Sequence, residues 1–303
     1  MPNYPTSVKI IEVGPRDGLQ NESEIISTQD KLFFIEKLIA SGLKNIEVTS
    51  FVHPEKIPQL KDAKEIISGL KQHPGLVYSA LVPNMKGLER AIESGIKRIA
   101  VFTAASETFT KKNINMTIKE SLDTFKSIVE GAKKNNISVR GYISTCFICP
   151  YEGEITKEKV LDITKTLLDI GVDEVSLGDT IGAASPKDVF GTVGYILNKI
   201  PKEKIALHFH DTYGTALANV AAGLELGIST FDSSAGGLGG CPFAPGASGN
   251  LATEDLLYLL NRMNIETGVN LGKLTEASVF MQKVLGRKLP SRQLQRILSS
   301  KGL

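Results

Sequence analysis

The chain has 303 residues, 42% of them apolar, and 35 basic against 33 acidic residues leave a net charge of +2. Nearly balanced charge gives no polyanion-binding signature and therefore no nucleic-acid partner. No apolar run approaches the roughly 20 residues that span a bilayer, the opening MPNYPTSVKI lacks the regions of a secretory signal, and three cysteines fit a reducing cytoplasm better than a disulfide scaffold.

Short apolar runs alternate with longer amphipathic stretches. The expected strands are 8–13, 45–50, 77–82, 98–103, 138–143, 174–179, 205–210 and 229–234. Between them the apolar spacing predicts helices at about 28–41, 56–70, 84–94, 118–135, 156–170, 186–199 and 214–226. Ser185 and Pro186 make an N-cap and first-turn proline. Two further helices, about 253–262 and 271–286, close the chain. Eight β/α units in order imply a parallel sheet. An open doubly wound sheet would need a glycine-rich phosphate turn after the first strand. Gly14-Pro15-Arg16-Asp17-Gly18 stands there instead. Gly42, Gly95, Gly171 and Gly227 each end a helix and lead into a strand, a weak repeat that fits left-handed helix caps. The expected fold is an α/β (β/α)8 TIM barrel. Residues 1–303 form a single catalytic domain, with 251–303 as a helical C-terminal extension packed on it. Cys146 and Cys149 form a C-x-x-C. Their offset on a strand would point the thiols to opposite faces, and no second pair completes a zinc site.

Barrel enzymes place their chemistry at the C-terminal strand ends, and the unusual polar residues collect there. His208 and His210 are two apart on a strand and face one way. In a chain with four histidines, such a pair ending an apolar strand suits a transition metal. Asp17 follows the first strand as a carboxylate ligand or base. Arg16 beside it offers five donors to a developing oxyanion. Glu47 lies inside the second strand and needs a partner, with Arg16 a candidate. Asp179 ends the sixth strand, either supporting a histidine or Arg16 or capping a helix. The loop 236–250 is dense in glycine and can close over a ligand. Its Cys241 can give or take a proton, or can be incidental to a flexible loop. Asn250 offers an amide oxygen. Asp17, His208, His210 and Asn250 together suit an octahedral Mg2+ or Mn2+ with two open positions, enough for a bidentate hydroxy-acid.

Residues 13–22 (VGPRDGLQNE), 47–52 (EVTSFV), 176–182 (SLGDTIG), 208–214 (HFHDTYG) and 236–250 (GGLGGCPFAPGASGN) resemble the 3-hydroxy-3-methylglutaryl-CoA lyase family along essentially the whole chain. The His-x-His and Arg-Asp pairs mark only a wider superfamily of metal-dependent Claisen and aldol enzymes, whereas the cysteine loop and the PRDGLQNE stretch are specific. The resemblance implies cleavage of 3-hydroxy-3-methylglutaryl-CoA to acetyl-CoA and acetoacetate, as in leucine degradation. It implies Mg2+ or Mn2+ on Asp17, His208, His210 and Asn250, a catalytic Arg16, and Cys241 as the active-site thiol. It also implies substrate contacts at Ser50, Asn113, Arg140 and Tyr142, and a homodimer with no membrane partner. Ser23-Glu24 depart from the lysine near the CoA phosphates in animal members. Rival readings are a lyase for a longer 3-hydroxyglutaryl-CoA, a Claisen-type synthase joining an acyl-CoA to a 2-oxo acid, and a non-catalytic metal-binding barrel.

Overall fold

The computed structural model describes residues 4–240 and 249–300. Eight parallel strands close into a (β/α)8 barrel: β1 Lys9–Glu12, β2 Asn45–Ser50, β3 Val77–Leu81, β4 Arg98–Ala104, β5 Ser138–Ser144, then β8 Glu174–Asp179, β9 Ile205–Phe209 and β10 Thr230–Ser233. The remaining two strands, β6 Ile148–Cys149 and β7 Gly153–Glu154, form a small antiparallel hairpin outside the barrel. β10 pairs with β1 to close it, Ile11 opposite Asp232 and Glu12 opposite Ser233.

Every expected barrel strand is present, and the helices follow: α1 Thr28–Ala40, α2 Ala63–Gly69, α3 Met85–Ser94, α4 Glu107–Ile114, α5 Ile118–Lys134, α6 Lys157–Asp169, α7 Pro186–Leu197 and α8 Ala216–Glu225. Their apolar stripes pack against the outer faces of the strands in one continuous core. Gly42, Gly95, Gly171 and Gly227 have φ of 99°, 77°, 100° and 82°. That left-handed backbone ends each helix at little cost only in glycine. The expected helix at 56–70 starts late and in two pieces, a 3-10 turn Pro58–Leu60 and then α2; Pro58 disfavours helical backbone at Ile57, which accounts for the late start. The α4 helix, capped by Ser106 onto Phe109 N, is additional to the expectation.

After the barrel come α9 Thr253–Arg262, α10 Leu271–Val284 and a third, unexpected helix α11 Arg292–Ser300. Phe33 of α1 meets Phe280 of α10 edge to face, ring centres 4.8 Å apart. No helix among the described residues is long and apolar enough to cross a membrane.

The C-x-x-C pair needs a different account from strand alternation. β5 stops at Ser144, and Thr145 takes a φ of 53°. Cys146 then turns its Sγ to Ile143 O at 3.0 Å, while Cys149, on β6, turns its Sγ to Ser106 Oγ at 3.0 Å. Both thiols are free and buried in separate apolar clusters.

Candidate metal and catalytic site

The barrel interior is a column of paired charge. Arg140 of β5 donates through Nε to Glu174 (2.9 Å), and through its two terminal nitrogens to Asp232 (3.0 and 2.8 Å). Lys9 and Arg98 also reach Glu174, at 2.6 and 3.3 Å. Burial would raise the Glu174 and Asp232 carboxyls, but Arg140 together with Lys9 and Arg98 at Glu174, and Arg140 together with His208 at Asp232, hold both below the usual range. Asp232 further accepts from Ser176 Oγ at 2.9 Å and stands 3.2 Å from His208 Nδ1.

That last contact decides what His208 presents. With Nδ1–H directed to a carboxylate, the Nε2 lone pair faces the barrel mouth, the tautomer a metal ligand needs. His210 Nε2 lies 3.1 Å from His208 Nε2. Burial, and then His208 beside it, lower the His210 pKa to about 3, so its ring is neutral. Asp17 completes the group: donor atoms of Asp17, His208 and His210 lie within 4.8 Å of one another. Burial opposes ionisation of Asp17, but Arg16 and the histidines lower its pKa to about 2. Asn250 donates through Nδ2 to Asp17 Oδ2 (2.9 Å) and to Leu238 O (3.1 Å). Its Oδ1 is buried without a hydrogen-bond partner. One carboxylate, two imidazoles and an orphaned amide oxygen fit a divalent cation that takes oxygen and nitrogen ligands.

Arg16 sits beside this cluster in the single helical turn Gly14–Gly18 after β1. Its Nε bonds Glu47, one terminal nitrogen bonds Asp17, and its guanidinium carbon lies 5.6 Å above the Tyr142 ring. Tyr142 donates its hydroxyl to Glu47 at 2.9 Å and accepts from Arg140 at 2.8 Å. Burial and the nearby Glu47 raise the Tyr142 pKa well above its ordinary value, so it stays a neutral donor. A cavity of about 330 Å³ opens over these groups, with Leu81, Phe102, Phe109 and Ile143 as its apolar wall and Asn113 on its rim. Lys56 lies at its mouth and makes no ion pair among the described residues.

The sequence-derived candidates thus separate. Arg16, Asp17, Tyr142, His208 and His210 line the cavity together, and Glu47 braces Arg16 from behind. Arg140, expected at the substrate, lies buried beneath the cavity with its donors on Glu174, Asp232 and Tyr142. Ser50 is buried and donates to Leu81 O at 3.2 Å. Asp179 turns its carboxyl to Ala183 N (3.1 Å) and Ala184 N (3.0 Å), shaping the loop after β8, and burial raises its pKa to about 6. The histidine-orienting carboxylate is therefore Asp232, which the sequence reading passed over. Cys241 falls within 241–248, outside the described residues. The stems of that segment touch. Gly239 and Gly249 have φ of 137° and 83°, and a Cβ on Gly249 would lie 2.5 Å from the Gly239 carbonyl carbon. Asn21 Nδ2 donates to Gly240 O at 2.8 Å, tying the stem to the cavity mouth.

Comparison with known proteins agrees with this arrangement. Residues 7–281 match the HMGL-like family model. The hydroxymethylglutaryl-CoA lyase YngG of Bacillus subtilis is 51% identical over 98% of this chain and 99% of its own length. The crystal structure of hydroxymethylglutaryl-CoA lyase from Pseudomonas aeruginosa superposes with a TM-score of 0.97 at 47% identity, covering 98% of this chain and 99% of that one. An HMG-CoA lyase from Acinetobacter baumannii, solved with coenzyme A and 3-methylmalate, gives a TM-score of 0.91 at 38% identity over 98% and 95% of the two chains.

Proposed function

The chain belongs to the HMGL-like family, and from that premise we propose that it is a carbon–carbon lyase that cleaves 3-hydroxy-3-methylglutaryl-CoA to acetyl-CoA and acetoacetate. The observation that carries the reading is a single cavity joining the Asp17–His208–His210 donor cluster to the braced guanidinium of Arg16. The first group suits a hydroxy-acid and the second an oxyanion, as a retro-Claisen cleavage requires.

Asp17, His208, His210 and Asn250 Oδ1 would hold a divalent cation, Mg2+ or Mn2+. Such an ion, when bound, lowers the pKa of a coordinated oxygen and supplies Lewis acidity. The rest of the chemistry falls to the chain's own residues. Asp17, held ionised by Arg16, accepts the proton of the tertiary hydroxyl at C3. The O–H electrons become the ketone π bond as the C2–C3 bond breaks, and that bond's electrons pass to the thioester as an enolate. Arg16 has donors beyond those engaged by Glu47 and Asp17 and gives them to the enolate oxygen. Cys241 returns a proton to C2, which releases acetyl-CoA. Glu47 fixes the plane of the guanidinium, Tyr142 forms part of the cavity floor, and Asp179 holds the loop behind His210. Lys56, a cation at the mouth with no ion pair among the described residues, takes a CoA phosphate. The single catalytic domain, with 251–303 as a helical extension, works as a homodimer in the cytoplasm.

The test is a product assay. The protein is incubated with 3-hydroxy-3-methylglutaryl-CoA after chelation and again after Mg2+ or Mn2+ is restored, and acetoacetate is followed. Cleavage lost on chelation and regained with metal is the expected result. No acetoacetate in either state, with CoA released instead from acetyl-CoA plus a 2-oxo acid, would establish a synthase.

A further inference from the structure

Glu12 is the last residue of β1, and its side chain is on the outer wall of the barrel. Lys9, three residues earlier, sends its ammonium group inward to Glu174, and side chains alternate along a strand. Glu12 is completely buried, and no Lys or Arg pairs with it among the described residues. It makes three contacts, each to a different segment. Oε1 accepts from Gly14 N at 2.8 Å and from Ala235 N at 2.9 Å. Oε2 lies 2.7 Å from Thr253 Oγ, which also lies 2.8 Å from Ser233 Oγ.

Gly14 opens the turn that carries Arg16 and Asp17. Ala235 precedes the glycine loop, and Thr253 begins α9 three residues after Asn250. The approach to Gly14 is close: a Cβ there would lie 2.6 Å from Glu12 Oε1, so residue 14 has room for glycine alone. The neighbour of Thr253 repeats the device, since Glu254 accepts from Gly236 N at 2.8 Å and from Ser278 Oγ.

We propose that Glu12 is a positioning residue: one buried carboxyl that sets the distance between the Arg16–Asp17 turn and the segment holding Asn250 and the loop stem. The proposal rests on the lyase reading for its catalytic consequence, but its structural content stands apart from substrate. The halves of the site are distant in sequence, with Asp17 and Asn250 233 positions apart. A misplacement of about 1 Å between groups that act together costs about 100-fold in rate. Loss of a residue supporting a metal ligand typically costs 10–100-fold in affinity.

The experiment compares Glu12→Gln and Glu12→Leu with wild type, using a buried α7 variant, Ile196→Ala, as a control for stability. Glutamine keeps an acceptor for both amides and can donate to Thr253 Oγ while that hydroxyl bonds Ser233. It should leave Mn2+ affinity and kcat within about twofold of wild type. Leucine keeps the volume but orphans both amides. It should raise the Mn2+ Kd, measured on the protein alone by titration calorimetry, about tenfold or more. It should also lower kcat more than it changes KM, and speed amide exchange at Gly14, Ala235 and Gly236. Losses in Ile196→Ala equal to those in Glu12→Leu, or a Glu12→Leu protein with wild-type Mn2+ affinity, would overturn the proposal. Metal binding and exchange need no substrate, so a failed cleavage assay leaves this test intact.

Discussion

Asp232 and Glu12 lie one rung apart on paired strands, and both are shut off from solvent. Their environments drive them in opposite directions. Burial would raise both carboxyls. For Asp232, Arg140 and His208 outweigh burial and hold it well below the usual range. For Glu12, amides and a hydroxyl are the only partners among the described residues, burial prevails, and the pKa rises to about 7. The same carboxyl group is thus balanced by formal charge inside the barrel and pushed towards its protonated form on the outer seam. The inner arrangement is strong only while both partners remain. The outer one orders backbone segments and carries a cost at neutral pH.

The inner charges depend most on Arg140. Arg140→Met removes the cation shared by Asp232 and Glu174, and stability in urea should fall by about 3–5 kcal/mol, the usual cost of halving a buried pair. A loss under about 1 kcal/mol would show that the inner charges are not held by pairing. Next comes Arg16→Gln, whose kcat should fall about 100–1,000-fold, equivalent to roughly 3–4 kcal/mol of barrier, while Mn2+ still binds. Turnover close to wild type would remove Arg16 from oxyanion stabilisation. Asp232→Asn is milder: it keeps the shape but weakens the hold on His208 Nδ1, and the Mn2+ Kd should rise about 10–100-fold. Unchanged affinity would leave the His208 tautomer set by something other than Asp232.

The smallest effect is a pH slope. Glu12 and Glu254 have folded pKa values raised from 4.5 to about 7 by burial. Their share of stability is full below about pH 4.5 and is lost as pH climbs through 7. Asp179, raised from 3.8 to about 6, acts in the same direction. His210, lowered from 6.5 to about 3, opposes them, because the unfolded chain binds the proton there and stability gains as pH rises from 3 to 6.5. The difference between Glu12→Gln and wild type isolates one group. That difference, from urea melts at several pH values, should shift in favour of the glutamine variant between pH 4.5 and 7. A flat difference would mean that folding does not shift the titration of Glu12.

The eight barrel strands were legible from short stretches carrying apolar residues at regular intervals between the helices, though β10 has only Phe231, and the four helix-ending glycines follow from the backbone they must adopt. What escaped was short or locally set. α4 has Phe109 and Ile114 five apart and no regular stripe. The β6–β7 hairpin is two residues a strand, and α11 is nine residues long with only Leu294, Ile297 and Leu298 apolar. In the site, His208, His210, Asp17 and Arg16 were visible as strand-end residues. Asp232, Arg140 in its buried role, and Glu12 were not, since their meaning lies in partners on other strands. Alternation tells which face a residue takes, not what stands across the barrel.

The meeting of β1 with β10 has a consequence for how the molecule is made. Asp17 leaves the ribosome early, whereas His208, His210 and Asn250 follow near the end, so a cation that grips all of them can bind only the completed ring. Such a ligand favours the closed chain over every partly built one. At a free concentration 100 times its Kd it would add about 2.7 kcal/mol to the stability of the native state. Metal supply and folding yield are then two readings of one equilibrium.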